Sequence, residues 1–192
     1  MAEEKLTEIR WHARGGQGAV TAAKLLAETA LSQGQYFQAF PEYGPERMGA
    51  PIRAYTRISK NPIYIRSSIT NPGIVTVLDP TLLGVVDVAA GLDADGALIV
   101  NTNKTPAEIR EQMGLTGHKI YTVDASKIAK ETIGRAIPNT PMMGALVKIL
   151  GTMSIDDVAG YVRKSFGKKF SEEIIEGNVK AVKRAYAEVK GE

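Results

Sequence analysis

The sequence predicts an α/β protein with an open, mainly parallel sheet and helices on both faces. Three observations lead there. An extended segment over residues 8–13 turns through Arg14-Gly15-Gly16-Gln17-Gly18 into an apolar run of helical spacing over residues 19–30. Farther along, short apolar strands alternate with helical stretches, the pattern of strand–helix–strand units. A helix boundary is also written out in full. Thr105-Pro106-Ala107-Glu108 offers a capping threonine, proline at the first helical position and a glutamate three residues after the cap, and Gly114 ends the run.

Each element follows in order. Tyr36-Phe37-Gln38-Ala39-Phe40 reads as a second short strand. Residues 41–51 hold three prolines and two glycines, so they predict a restrained loop, neither helix nor strand. Residues 52–58 alternate apolar and polar side chains, as a strand with one wet face does, and Pro62-Ile63-Tyr64-Ile65 is expected to pair with it as a hairpin. That pair would form a small antiparallel insertion. Residues 74–78 predict a buried parallel strand ending at Asp79-Pro80, with a short helix behind it through Leu82, Leu83, Val86 and Val88. Residues 96–101 and 119–124 are further strands, and residues 125–133 a helix. From Pro141 onward the pattern is helical. Ser154-Ile155-Asp156-Asp157 resembles a capping box with Asp in place of Glu. The last segment is expected to gather Ile174, Ile175, Val179, Val182, Tyr186 and Val189 on one packing face.

Composition narrows the function. The 192 residues suit a single domain over 1–192, and 44% hydrophobic with 23% charged residues is ordinary for a soluble globular chain. A net charge of +3, spread along the chain, is not the concentrated basic stripe of a nucleic-acid binder. The charged N-terminus lacks an apolar signal segment and no apolar run is long enough to span a membrane, so a cytoplasmic protein is expected. Cysteine is absent, which excludes a disulfide, a cysteine nucleophile and a thiolate-held iron–sulfur cluster in this chain. His12 and His118 are far apart with no ligand-spaced companion, so no metal site is expected.

Three stretches could carry function. The turn from Arg14 to Gly18 brings bare backbone and a helix N-terminus to one place, where phosphates and carboxylates bind. Arg14 could add a charge and Gln17 an amide contact. A tight turn of purely structural use explains the same residues. G-x-G-x-x-G is incomplete because Thr21 stands where the third glycine would be, and no P-loop occurs. The 41–51 loop presents Glu42, Tyr43, Glu46 and Arg47 on a restrained backbone. Ile137-Pro138-Asn139-Thr140-Pro141 could cap a helix, with Met142, Met143 and Gly144 as packing residues. Asp79 lies where α/β sheets place binding residues and could equally cap the turn behind Pro80. His12 reads as hydrogen-bonded structure. No nucleophile–base pair emerges, so no catalytic residue is assigned.

Taken together, Arg14-Gly-Gly-Gln-Gly18, Tyr43-Gly-Pro-Glu-Arg-Met-Gly-Ala-Pro51 and Pro138-Asn-Thr-Pro-Met-Met-Gly-Ala-Leu146 resemble the gamma subunit of 2-oxoacid:ferredoxin oxidoreductases. The resemblance covers nearly the whole chain and is nearest to the pyruvate type, with the 2-oxoisovalerate type close behind. It implies a Rossmann-like sheet in a hetero-oligomer with alpha, beta and delta subunits. Those subunits would hold thiamine diphosphate, magnesium and iron–sulfur clusters, and this chain alone none of them. The complex would decarboxylate a 2-oxoacid, pass electrons to ferredoxin and form an acyl-coenzyme A. Carried onto this sequence, Arg14, Gly15, Gly16, Gln17 and Gly18 would contact coenzyme A, and Tyr43, Glu46, Arg47 and Asn139 would lie at the subunit interface or the site entrance. A stand-alone nucleotide- or phosphate-binding protein and a non-catalytic assembly subunit are the competing readings.

Overall fold

The computed structural model describes residues 6–42, 49–167 and 169–192. Its centre is a seven-stranded sheet in the order β2-β3-β1-β4-β5-β6-β7. The strands are β1 (Thr7–Arg14), β2 (Tyr36–Glu42), β3 (Pro51–Ser59), β4 (Ile74–Val77), β5 (Ala97–Asn101), β6 (Lys119–Val123) and β7 (Lys190–Gly191). β1, β4, β5 and β6 are parallel. β3 is antiparallel to β1, β2 to β3, and β7 to β6. Five of the seven strands therefore share one direction.

The antiparallel insertion exists, but its partner differs from the expected one. Strand β3 pairs with β2, and residues 62–65 form no strand. β2 also runs on through Pro41 and Glu42, so the 41–51 loop is shorter than the sequence suggests. Pro41 is tolerated because β2 is an edge strand, where a missing N–H costs no ladder bond. Gln38 uses its amide to hold the backbone carbonyl of Ile65 at 2.8 Å, so the 62–65 segment lies against β2 through side-chain bonds.

Among the described residues the helices are α1 (Ala19–Ser32), α2 (Pro106–Met113), α3 (Ala125–Ile133), α4 (Asn139–Leu150), α5 (Ile155–Phe166) and α6 (Glu172–Glu188). Helices occupy both faces, unequally. Ile9, Trp11, Ala13 and Ile99 point to a core shared with α1, α3, α4, α5 and α6. Val75, Val77, Leu98, Val100 and Ile120 point the other way, to Ile109 of α2 and to Leu82, Val88 and Leu92. Period-2 alternation along each strand produces this division. Only a 3-10 turn over Pro80–Gly84 follows β4, because Asp79 caps it and the chain leaves helical geometry beyond. The expected helix through Val86 and Val88 is absent there.

Caps set the remaining boundaries. Thr105 and Glu108 form the reciprocal capping box. Ser154 accepts from the N–H groups of Asp156 and Asp157, while the return bond of a full box is not made. On α6, Ile175, Val179 and Val182 are buried, and Tyr186 and Val189 are half-buried. Ile174 instead is 37% exposed, since it stands one residue, about 100°, off the buried stripe. No helix among the described residues is long and apolar enough to cross a membrane.

Candidate functional site

The first and third motifs and the described end of the second, residues 49–51, meet at the end of β1 where the parallel strands present their carboxyl ends. Gly16 and Gly18 have φ of 98° and 81°, so the turn needs glycine at both. Gly18 is the N-cap of α1, and no side chain caps that helix or places a carboxylate in its first turn. Its first N–H groups therefore stay available to an acceptor. The end of the 41–51 loop docks here. Gly15 N–H donates to the Ala50 carbonyl at 3.0 Å, and the Arg14 guanidinium to the Gly49 carbonyl at 3.2 Å.

Asn139 comes from the opposite side. It opens α4 and stands against Gly18 so closely that a Cβ there would sit 2.6 Å from its amide nitrogen. Expected to cap a helix beginning at Pro141, Asn139 is instead the first residue of α4, behind Pro138. Its amide oxygen accepts from Thr140 N–H at 2.8 Å, which leaves the amide nitrogen directed outward from that bond. The uncapped N-terminus of α1 thus adjoins the start of α4, where Asn139 bonds one first-turn N–H.

The side chains of Arg14 and Gln17 are engaged within the protein. Gln17 accepts from Arg14 N–H at 2.8 Å and donates to Asp79 at 2.6 Å. Arg14 donates to the Thr81 hydroxyl at 3.1 Å and lies 3.5 Å from Asp79. Burial alone would raise the Asp79 carboxyl. Hydrogen bonds from the Thr81 hydroxyl and N–H and from Gln17, together with the Arg14 charge, outweigh it and hold the group below its ordinary value. The Arg14–Asp79 pair is neutral overall. Attraction for an anion at this turn therefore comes chiefly from backbone N–H groups and the helix dipoles.

A polar ladder continues along the sheet face that carries α2. Its rungs are Glu42–Arg53–His12, Phe40–Tyr55–Arg10 and Gln38–Arg57–Glu8. Arg10 donates to Nε2 of His12 at 3.0 Å and to the carbonyls of Val88 and Ala90. Because arginine only donates, the proton of neutral His12 resides on Nδ1. Burial first, then the Arg10 and Arg53 charges, push His12 down to about 3. Glu42 accepts from the Tyr55 hydroxyl and faces Arg53 at 3.5 Å. Burial and then that carboxylate raise the Tyr55 phenol. Glu42 is thus spoken for by tyrosine and arginine. Tyr43, Glu46 and Arg47 lie outside the described residues.

Sequence reasoning did not single out Thr81, Arg10, Arg53 or Tyr55. Thr81 had a usable signal, two residues after Asp79 behind a proline, the spacing of a capped turn. Register alone reveals the others, and register needs the partner strand.

Known proteins are similar to this chain in sequence and in fold. A family model described as pyruvate ferredoxin/flavodoxin oxidoreductase matches residues 8–188. The chain is 50% identical over 187 residues to pyruvate synthase subunit PorC of Thermotoga maritima, covering 97% of this chain and 96% of that one. It is 48% identical over 181 residues to the pyruvate/ketoisovalerate oxidoreductases common subunit gamma of Pyrococcus abyssi, covering 94% and 96%. The crystal structure of pyruvate oxidoreductase subunit PORC from Thermotoga maritima superposes with a TM-score of 0.85 at 45% identity, covering 98% of this chain and 99% of that one.

Proposed function

The chain belongs to the pyruvate ferredoxin/flavodoxin oxidoreductase family, and from that membership we propose that it serves as the gamma subunit of a multi-subunit, cytoplasmic 2-oxoacid oxidoreductase, pyruvate being the favoured acid. The reaction takes a 2-oxoacid and coenzyme A to an acyl-coenzyme A and carbon dioxide, with two electrons passed to ferredoxin. With no cysteine, this chain offers no thiolate to a cluster. Alpha, beta and delta partners holding thiamine diphosphate, magnesium and the clusters complete the assignment.

Within that enzyme the chain's share is binding and coverage. The observation that carries it is the meeting of the Gly16 and Gly18 backbone, the first turn of α1 and the Asn139 amide at one place, while the Gly15 and Gln17 N–H groups are bonded within the protein. Such a donor cluster suits a phosphate of coenzyme A. Arg14, Gln17, Asp79 and Thr81 fix the turn so that its N–H groups keep one orientation. Ordering these donors before binding lowers the entropy lost when the ligand arrives. In this reading Tyr43, Glu46 and Arg47 serve, with Asn139, at the subunit interface or the site entrance.

Thr21→Glu tests it. A glutamate in the first turn of α1 favours the helix through its dipole but repels an anion at the same N–H groups. In the assembled enzyme the apparent KM for coenzyme A should rise about 5–10-fold with Tm unchanged or higher. An unchanged KM would remove the turn from coenzyme A binding.

A further inference from the structure

Beside the Asn139–Gly18 junction runs a trough whose described lining holds more cations than carboxylates. Its larger hollow, about 540 Å³, is walled by Thr21, Asn139, Arg135, Lys169 and the apolar Ile137, Phe170 and Ile174. A second hollow of about 440 Å³ continues it along α1 and α5, adds Lys24, Lys164 and Tyr161, and shares Thr21, Phe166 and Lys169 with the first. Ile137, Phe170 and Ile174 are 38%, 47% and 37% exposed. Phe170 stands edge-on to Phe166, with ring centroids 5.2 Å apart. Single exposed hydrophobes are ordinary, but three gathered in one hollow with a polar rim mark an interaction surface.

The cations of α5 and α6 divide between paired ones and others, such as Lys180, that make no ion pair with any described residue. On α5 and α6, Arg163 is paired with Glu176 at 2.6 Å, Lys183 with Asp156 at 2.6 Å and Arg184 with Glu131 at 2.9 Å. Arg135, Lys164 and Lys169 make no ion pair with any described residue. Among the described residues Lys164 has the Tyr161 ring, 5.9 Å away, and no carboxylate. Lys24 alone has a carboxylate, Glu28, at 3.7 Å.

We propose that this trough, with its apolar floor of Ile137, Phe170 and Ile174 and its unpaired Arg135, Lys164 and Lys169, docks an acidic segment of another subunit of the enzyme, one that inserts an apolar anchor side chain between the cations. The proposal rests on the multi-subunit reading above. Carboxylates on that segment neutralise the rim, and the anchor covers the exposed Phe170 and Ile174 edges. Rim charges of this kind steer encounter and set its salt dependence, while the buried anchor holds the complex.

The experiment uses the tagged chain co-expressed with the remaining subunits of its enzyme, with partner recovery measured from low salt to about 0.5 M, where the Debye length shrinks to a few ångströms. Lys164→Glu with Lys169→Glu should lower recovery at least tenfold, Phe170→Ser should lower it at every salt concentration, and Lys164→Arg with Lys169→Arg should retain it. Lys127→Glu, an exposed cation on α3, is the control for net charge. Circular dichroism and Tm of each variant separate lost docking from lost fold. Wild-type recovery for the folded double reversal overturns the proposal. So does intact recovery with a raised KM for coenzyme A, which would make the trough a small-ligand surface. Recovery of partner subunits is readable even if the purified complex oxidises no 2-oxoacid, so failure of the functional reading stays distinguishable.

Discussion

Asp79 converts a glycine turn, intrinsically loose, into a fixed one. Its carboxylate accepts from Gln17 and from both donors of Thr81 and lies against Arg14, so four side chains hold one turn. The capping half of this role was legible at Asp79-Pro80. The contact with Gln17, 62 positions away, was not, because no local propensity encodes a bond across two strands. His12 was legible as hydrogen-bonded structure, and its partner proves to be Arg10 two residues earlier on the same sheet face. The buried, neutral ring has a measurable consequence. From about pH 6.5 down to about 3, the unfolded chain binds a proton at this position and the folded chain does not. Its contribution to stability is intact above pH 6.5 and is lost on acidification through that window, by about 2 kcal/mol between pH 7 and pH 5. Denaturant unfolding at those two pH values should show this slope for the wild type and a shallower one for His12→Gln. Equal slopes would contradict the buried neutral histidine.

Among the elements, α4 is the most constrained. Every residue from Thr140 to Val147 is buried, which is why its sequence is apolar on all sides and shows no amphipathic stripe. The packing use of Met142, Met143 and Gly144 could be read from the sequence, since such residues fill cores and permit close approach. Gly144 faces the backbone of Val182 on α6, and a Cβ would overlap its carbonyl oxygen. Gly144→Ala should therefore force the two helices apart and lower stability by about 1–3 kcal/mol in denaturant unfolding, despite alanine's better helix propensity. A neutral or stabilising result would mean that α4 and α6 are not held this closely. The hairpin shows the opposite case. Residues 36–42 and 62–65 both look like strand partners for β3, and pattern alone favours the shorter connection. Seven residue pairs with β2 outweigh the four that 62–65 could make, and residues 62–65 are held instead by bonds from Gln38 and Arg57.

At the scale of the whole molecule, the fold class, the direction of most strands and the site's glycine turn were written in the sequence, because periodicity and turn chemistry are local. The unequal loading of the two faces was not. Five helices crowd one side of the sheet, and irregular chain tacked down by Arg10, Gln38 and Arg57 covers part of the other. Among the described residues the site gathers backbone donors for an anion, and the chain's family is that of a multi-subunit oxidoreductase. The most direct test is a mild affinity purification of this chain from its native cell, assayed for 2-oxoacid-dependent dye reduction with and without coenzyme A, over pyruvate, 2-oxoisovalerate and 2-oxoglutarate. Co-purifying subunits with cluster absorbance are expected, with activity that needs coenzyme A and prefers pyruvate, and with the isolated chain inactive. A single chain that purifies alone, or a complex whose turnover is unchanged when this chain is removed, would contradict it.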